Sequence, residues 1–121
     1  MNSTSLEQIS YRSAVASALE STPVVFDSSN TSGIFDCGGS VAIAILPDED
    51  FTGSVLSLKW SIDGLYFYSV QDATGNTVSI SVSSNTVSLL TPSDLLAFRY
   101  VKFVSDQSET ASMSIITRRV A

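Results

Sequence analysis

The sequence predicts an all-β protein: an antiparallel β-sandwich, jelly-roll-like, with an extended N-terminal arm and one short helical turn. From residue 40 onward, apolar and polar residues alternate with the period of two that is typical of strands. Turn-forming residues interrupt these runs at short intervals, as they do in sandwiches and jelly rolls. We therefore divide the chain into an arm or edge strand over residues 1–20 and a single sandwich domain over residues 21–121, since this length suits one hydrophobic core.

The clearest strand signals lie in the middle of the chain. Residues 41–46 are all apolar and predict a strand that is buried on both faces. In the next run, 54–62, one side of the predicted strand carries Leu56, Leu58, Trp60 and Ile62. The dipeptide Asp63-Gly64 then favours a tight hairpin turn, because glycine accepts the positive φ of such turns. The predicted return strand covers residues 65–70.

The C-terminal half continues this pattern. Turns are predicted at 72–76, 83–85 and 106–109, and strands at 77–82, 86–90, 98–105 and 111–117. Thr91 and Pro92 resemble the N-cap and first position of a helix, but the residues up to 97 allow only about one turn.

The N-terminal segment is ambiguous. Ser5 to Gln8 resembles a helix capping box, and Leu6 and Ile9 belong to a weak helical stripe, whereas the many serines favour an extended arm or an edge strand. We favour the extended arm. Beyond it, residues 22–27 predict a strand and residues 27–33 a flexible loop.

Charge argues against binding to nucleic acids, and the lengths of the apolar runs argue against a membrane-spanning segment. Residues 1–58 carry seven acids and one base, a balance of −6, whereas residues 59–121 carry five of each and are neutral. An acidic chain without a lysine or arginine cluster repels phosphate backbones. No apolar run reaches the roughly 18–20 residues that cross a membrane, and the N-terminus does not have the pattern expected of a signal peptide.

Composition argues against an enzyme. The sequence contains no histidine, which removes the Ser-His-Asp and Cys-His arrangements and the commonest zinc ligand. The single cysteine, Cys37, excludes an intrachain disulfide and is expected at a turn or at the edge of the core. Such cysteine usage is compatible with synthesis in a reducing cytoplasm. Glycine-rich nucleotide-binding loops are also missing.

The carboxylates leave two weak possibilities for chemistry. Asp48, Glu49 and Asp50 follow one another in a loop and could hold Ca²⁺ through oxygen ligands. Their spacing is not that of an EF-hand, so we favour a solvated turn and predict neither metal nor cofactor. Asp63 and Asp72 could in principle form a glycosidase pair, but no signal for a raised pKa accompanies them.

Four aromatic residues cluster around the predicted hairpin. Neighbouring residues of a strand point to opposite faces, so Tyr66 and Tyr68 share one face and Phe67 lies on the other. We expect Trp60 and Phe67 to lie in the core and the two tyrosines to be available to a partner.

From about Phe51 to the C-terminus the chain resembles small β-sandwich virion proteins of tailed bacteriophages. The order of four segments carries the resemblance: Gly53 to Gly64, Tyr68 to Asn76, Arg99 to Asp106 and Ala111 to Arg119. Gly38-Gly39 ahead of the apolar strand also fits, whereas residues 28–36 look like an insertion. These segments form a fold signature and include no catalytic motif.

The resemblance implies a capsid decoration or cement protein, made in the host cytoplasm and carried on the virion. Its partners would be the major capsid protein or other virion proteins, and it would form a homo-oligomer. A tail-associated receptor- or carbohydrate-binding module is the alternative. Position and charge suggest as contact residues Leu6, Ile9 and Tyr11 of the arm, Asp48, Glu49 and Asp50 of the acidic loop, Tyr66 and Tyr68 of the hairpin, and the terminal Arg118 and Arg119.

Overall fold

The computed structural model describes residues 19–90 and 99–119, which form eight β-strands. The strands are β1 Leu19–Thr31, β2 Phe35–Asp36, β3 Ser40–Pro47, β4 Val55–Ser61, β5 Tyr68–Ser69, β6 Ser79–Ser81, β7 Ser88–Leu89 and β8 Tyr100–Arg119. These residues include no helix, and so none that is long and apolar enough to cross a membrane. The arm over 1–18 and the predicted helical turn at 91–97 lie outside the described residues.

All eight strands belong to one curled antiparallel sheet. The 20-residue strand β8 is its centre: β4 pairs with residues 100–105 and β3 with residues 113–119, while β1 and β2 pair with its other edge. The short strands β5, β6 and β7 extend the sheet from β4 and β3. The all-β antiparallel prediction is therefore confirmed, but two separate packed sheets are not.

The core lies inside the curl of the sheet. Alternate residues of β8 point inward, so Val101, Phe103, Met113 and Ile115 are all buried. Two aromatic pairs close the core, Phe26 with Phe51 at a ring-centroid distance of 5.8 Å and Phe35 with Phe103 at 6.3 Å. The fully apolar stretch of β3 is buried or half-buried on both faces, as its sequence predicts.

The prediction of a turn at 106–109 is wrong, because β8 passes through these residues without reversing. The pairing is irregular there: Ser29 of β1 lies opposite Glu109, while Thr31 already lies opposite Val104. Ser28 has a positive φ of 50° at the same level. Bulges of this kind bend a sheet, so we call this level, comprising Ser28–Ser29 and residues 105–109, the bend. The predicted flexible loop at 27–33 is likewise strand up to Thr31.

The hairpin after β4 is wider than predicted. Trp60 pairs with Tyr68, so seven residues connect the partners and the return strand is only Tyr68–Ser69. Gly64 has the expected positive φ of 78°. The turns around Asp72 to Asn76 and at Asn85, where φ is 53°, occur where they were predicted.

Candidate functional site

Carboxylates fasten the loop between β3 and β4 to the central strand. Both oxygens of the buried Glu109 accept hydrogen bonds: Oε1 from the Thr52 backbone N–H and hydroxyl, and Oε2 from the Gly53 N–H and the Ser105 hydroxyl, all at 2.7–2.9 Å. Burial by itself raises the pKa of Glu109, but these hydrogen bonds outweigh it and the pKa is lowered. Glu109 is therefore an ionised structural group at neutral pH.

Asp106 and Asp48 fasten the two ends of the same loop. Asp106 accepts hydrogen bonds from the N–H groups of Ser54 and Val55 and from the Ser54 hydroxyl. Asp48 Oδ2 accepts from the N–H and hydroxyl of Ser112, each at 3.0 Å. Hydrogen-bond donors of the protein itself thus stabilise the negative charge of these carboxylates.

The acidic loop therefore has two parts. Asp48 is half-buried and bonded to β8, whereas Glu49 and Asp50 are exposed. The prediction of a solvated turn therefore holds for Glu49 and Asp50 but not for Asp48. Within residues 19–90 and 99–119, no group of three or more aspartate, glutamate or cysteine side chains is placed to hold a metal ion.

The hairpin between β4 and β5 carries an exposed apolar patch. Its members are Ile62, exposed by 82%, Leu65 by 77%, and Tyr66 and Tyr68 by 66% each. Ile62, Leu65 and Tyr66 lie in the six-residue loop between the two strands, and Tyr68 is the first residue of β5. We call these four residues the hairpin patch.

A depression of about 200 Å³ opens within this region, lined by Trp60, Ile62, Asp63, Tyr66 and Tyr68. The prediction that the two tyrosines share an accessible face is confirmed. Trp60 is half-buried, packing against the core with part of its surface while lining the depression. Phe67 is also only half-buried, beneath the Lys102 ammonium at 4.6 Å from the ring centroid. Trp60 therefore lies at the edge of the core, whereas the prediction that Phe67 lies in the core is wrong.

Asp63 holds the hairpin in one conformation. Its Oδ1 accepts hydrogen bonds from the N–H groups of Leu65 and Tyr66 and from the Ser61 hydroxyl, at 2.9, 3.2 and 2.9 Å. Ser61 Oγ in turn accepts from the Gly64 N–H at 2.8 Å. These hydrogen bonds lower the pKa of Asp63. The Asp63-Gly64 dipeptide predicts only a two-residue turn. No local sequence pattern predicts the wider loop, which is held by side-chain hydrogen bonds.

Asp63 and Asp72 do not have the electrostatics of a glycosidase acid. Hydrogen bonds from Thr74 and Asn76 lower the pKa of Asp72 as well. A general acid of that reaction needs a raised pKa. Cys37 is buried, and its burial together with the nearby Asp36 raises the pKa of the thiol to about 11.

The proposed contact residues do not form one site. Tyr68 pairs with Trp60, which in turn pairs with Val101 near the start of β8. Asp48 instead accepts a hydrogen bond from Ser112, near the other end of that strand. Arg118 and Arg119 are exposed at the far end of β8, where the Arg119 guanidinium pairs with Glu20 of β1. Leu6, Ile9 and Tyr11 lie outside the described residues.

Comparison of the chain with protein-family models, with curated proteins and with solved structures found no match.

Proposed function

We propose that this chain is a non-enzymatic structural protein of a tailed-phage virion. In this proposal it decorates or cements the capsid, binding the major capsid protein or other virion proteins and forming a homo-oligomer. The observation that carries the proposal is the hairpin patch, with four large apolar side chains exposed by 66–82% in one short loop and at the start of the strand after it. Contiguous exposed apolar groups on a small protein mark interaction surfaces.

The patch has the features of a protein contact. Tyrosine and tryptophan are enriched among the residues that dominate binding energy, because they bury a large area at small entropic cost. The hydrogen bonds of Asp63 and Ser61 hold the loop before any partner arrives. A preorganised surface loses less conformational freedom on binding, so this loop suits repeated weak contacts that a capsid lattice would combine into strong attachment.

The chemistry of the chain and the resemblance support the same proposal. The sequence has no histidine, and five of its carboxylates have lowered pKa values through hydrogen bonds. The segments that resemble phage virion proteins fall on β4, β5 and β8 and on the loops beside them. The proposal includes a jelly-roll-like sandwich for the whole domain and contacts from Leu6, Ile9 and Tyr11.

A tail-associated receptor- or carbohydrate-binding module is the second candidate. It is favoured by one observation, that Tyr66 and Tyr68 line the same depression as Trp60.

Particle composition and attachment test the proposal. The chain should occur in purified virions at a copy number that matches a repeated capsid position, and the purified protein should co-sediment with particles that lack it. The double variant Ile62→Ser, Leu65→Ser should co-sediment less, because it removes half of the hairpin patch. The matched control is Val87→Ser, Leu89→Ser, at side chains that are exposed by 54% and 82% on and beside β7. Absence of the wild-type chain from virions would overturn the proposal.

A further inference from the structure

The depression on the hairpin is small and mostly apolar. Its volume of about 200 Å³ is below the roughly 300–1,000 Å³ of sites for drug-sized ligands. It therefore accepts a single side chain or a single ring and not an extended ligand. Three of its five lining residues, Trp60, Tyr66 and Tyr68, are aromatic.

Among the described residues that line the depression, Asp63 is the one that carries a charge. Hydrogen bonds to its Oδ1 lower its pKa, so the carboxylate is ionised at neutral pH. Its Oδ2 accepts no hydrogen bond from the residues that the structure describes. The same side chain thus fixes the loop with one oxygen and leaves the other oxygen to a ligand.

Aromatic faces beside a carboxylate favour a cation. The negative face of an aromatic ring attracts ammonium and guanidinium groups within about 6 Å, and an ionised carboxylate forms charge-assisted hydrogen bonds with them. Within residues 19–90 and 99–119, no lysine or arginine lines the depression. Elsewhere the protein already uses this contact, with Lys102 over Phe67 at 4.6 Å and Arg99 over Tyr100 at 5.1 Å.

We propose that the depression binds a basic side chain, arginine or lysine, presented by the protein to which this chain attaches. The inference rests on the proposed function and names the chemistry of its partner. An apolar side chain would cover the Asp63 carboxylate without compensating it. A sugar ring would bring several hydroxyl groups to the depression, where Asp63 is the charged side chain among the described lining residues.

The single tryptophan of the chain makes the test direct, because its indole N–H gives one resonance in a two-dimensional NMR spectrum. The probes are the N-acetyl amides of arginine, lysine and citrulline, together with methyl α-glucoside. The arginine and lysine probes should shift the Trp60 and hairpin resonances saturably. Citrulline is neutral and similar in shape to arginine. It should bind about fivefold more weakly than the arginine probe, because it lacks the charge.

Two variants make the test specific. Asp63→Asn keeps an oxygen for the N–H groups of Leu65 and Tyr66 but removes the charge, and it should weaken the arginine probe about fivefold. Asp72→Asn is the matched control, since Asp72 holds the next loop in a similar way but does not line the depression; its affinity should equal that of the wild type. Tyr68→Leu, at an exposed ring, should also weaken binding without unfolding the protein.

The outcomes separate this inference from the proposed function. Equal binding of arginine and citrulline, an unchanged affinity in Asp63→Asn, or binding of the glucoside alone would overturn the basic-side-chain proposal. If the wild-type chain still co-sedimented with particles in that case, the proposed function would stand. If the arginine probe bound as expected but the chain attached to no particle, the proposed function would fail instead.

Discussion

Gly53 shows how closely the loop between β3 and β4 packs on the central strand. A Cβ at this position would lie 2.6 Å from Asp106 Oδ1 and 2.9 Å from Glu109 Oε2, both of them engaged in hydrogen bonds. We expect Gly53→Ala to lower the free energy of unfolding by about 1–3 kcal/mol, because the carboxylates must move away from their donors. Urea denaturation measures this change.

Gly39→Ala is the control for that substitution. Nothing lies within 4 Å of the Cβ that Gly39 would carry, so its free energy of unfolding should change by less than about 0.5 kcal/mol. Equal stability of the two variants would show that the packing around Gly53 is looser than the structure indicates.

Glu109 tests the same contact from the other side. In Glu109→Gln, if the amide oxygen takes the Oε1 position and still accepts from Thr52, the amide nitrogen faces the Gly53 N–H, a donor opposite a donor. The reverse orientation has the same fault at Thr52. We expect a loss of about 1–3 kcal/mol in the free energy of unfolding, measured by urea denaturation. Glu49→Gln, at an exposed position, should have almost no effect, and a loss as large as that of Glu109→Gln would contradict the argument.

At the scale of the elements, stability should concentrate in the strands that flank β8. Leu58 of β4 is 1% exposed and belongs to the core cluster, whereas Leu89 of β7 is 82% exposed. Leu58→Ala should lower the free energy of unfolding by about 2–5 kcal/mol through lost burial and a residual cavity. The same substitution at Leu89 should cost well under about 1 kcal/mol. Chemical denaturation of the pair checks this, and similar losses at both sites would be incompatible with the core described above.

The elements that could be predicted from sequence are those whose own residues decide them. The alternation around Leu56 and Leu58 and the apolar run of β3 specify buried strands through local patterning alone. The turn at Asp72 to Asn76 could also be predicted, because the Asp72 side chain bonds to N–H groups within the same turn.

The elements that could not be predicted depend on distant partners. Residues 106–109 read as a turn because they are polar, but Asp106 and Glu109 bond to residues more than 50 positions away. The same limit applies to the candidate site. The exposure of Tyr66 and Tyr68 agrees with the prediction, but Tyr66 lies in the loop before β5 and not in a strand. The roles of Trp60 and Asp63 likewise depend on this wide loop, which no local sequence pattern predicts.

At the scale of the whole molecule, the bend makes one strand serve two halves of the sheet. β8 pairs with β4 before the bend and with β3 after it, and the β3–β4 loop crosses beside it. Asp106 and Glu109 bond to that loop at this point. Ionised carboxylates thus connect the two halves, and the stability of the sheet becomes sensitive to protonation.

The direction of this pH dependence follows from the pKa values. Asp48, Asp106 and Glu109 all have pKa values below their ordinary values of 3.8 for aspartate and 4.5 for glutamate. The unfolded chain therefore binds protons at a higher pH than the folded chain does, and their contribution to stability is present above the ordinary values and is lost as the pH falls through the lowered ones. Asp63 and Asp72 act in the same direction.

We therefore expect the free energy of unfolding to fall as the pH is lowered from about 5 towards 2, since carboxylates that are bonded in the folded state must then be protonated. Urea denaturation at a series of pH values measures the slope. The double variant Asp106→Asn, Glu109→Gln should be less stable at neutral pH but should lose less on acidification, because it lacks two of the groups responsible. Glu49→Gln should follow the wild-type curve, since Glu49 is exposed. A wild-type stability that stayed constant or rose towards pH 2, or a double variant with the full wild-type slope, would show that these carboxylates do not hold the two halves of the sheet together.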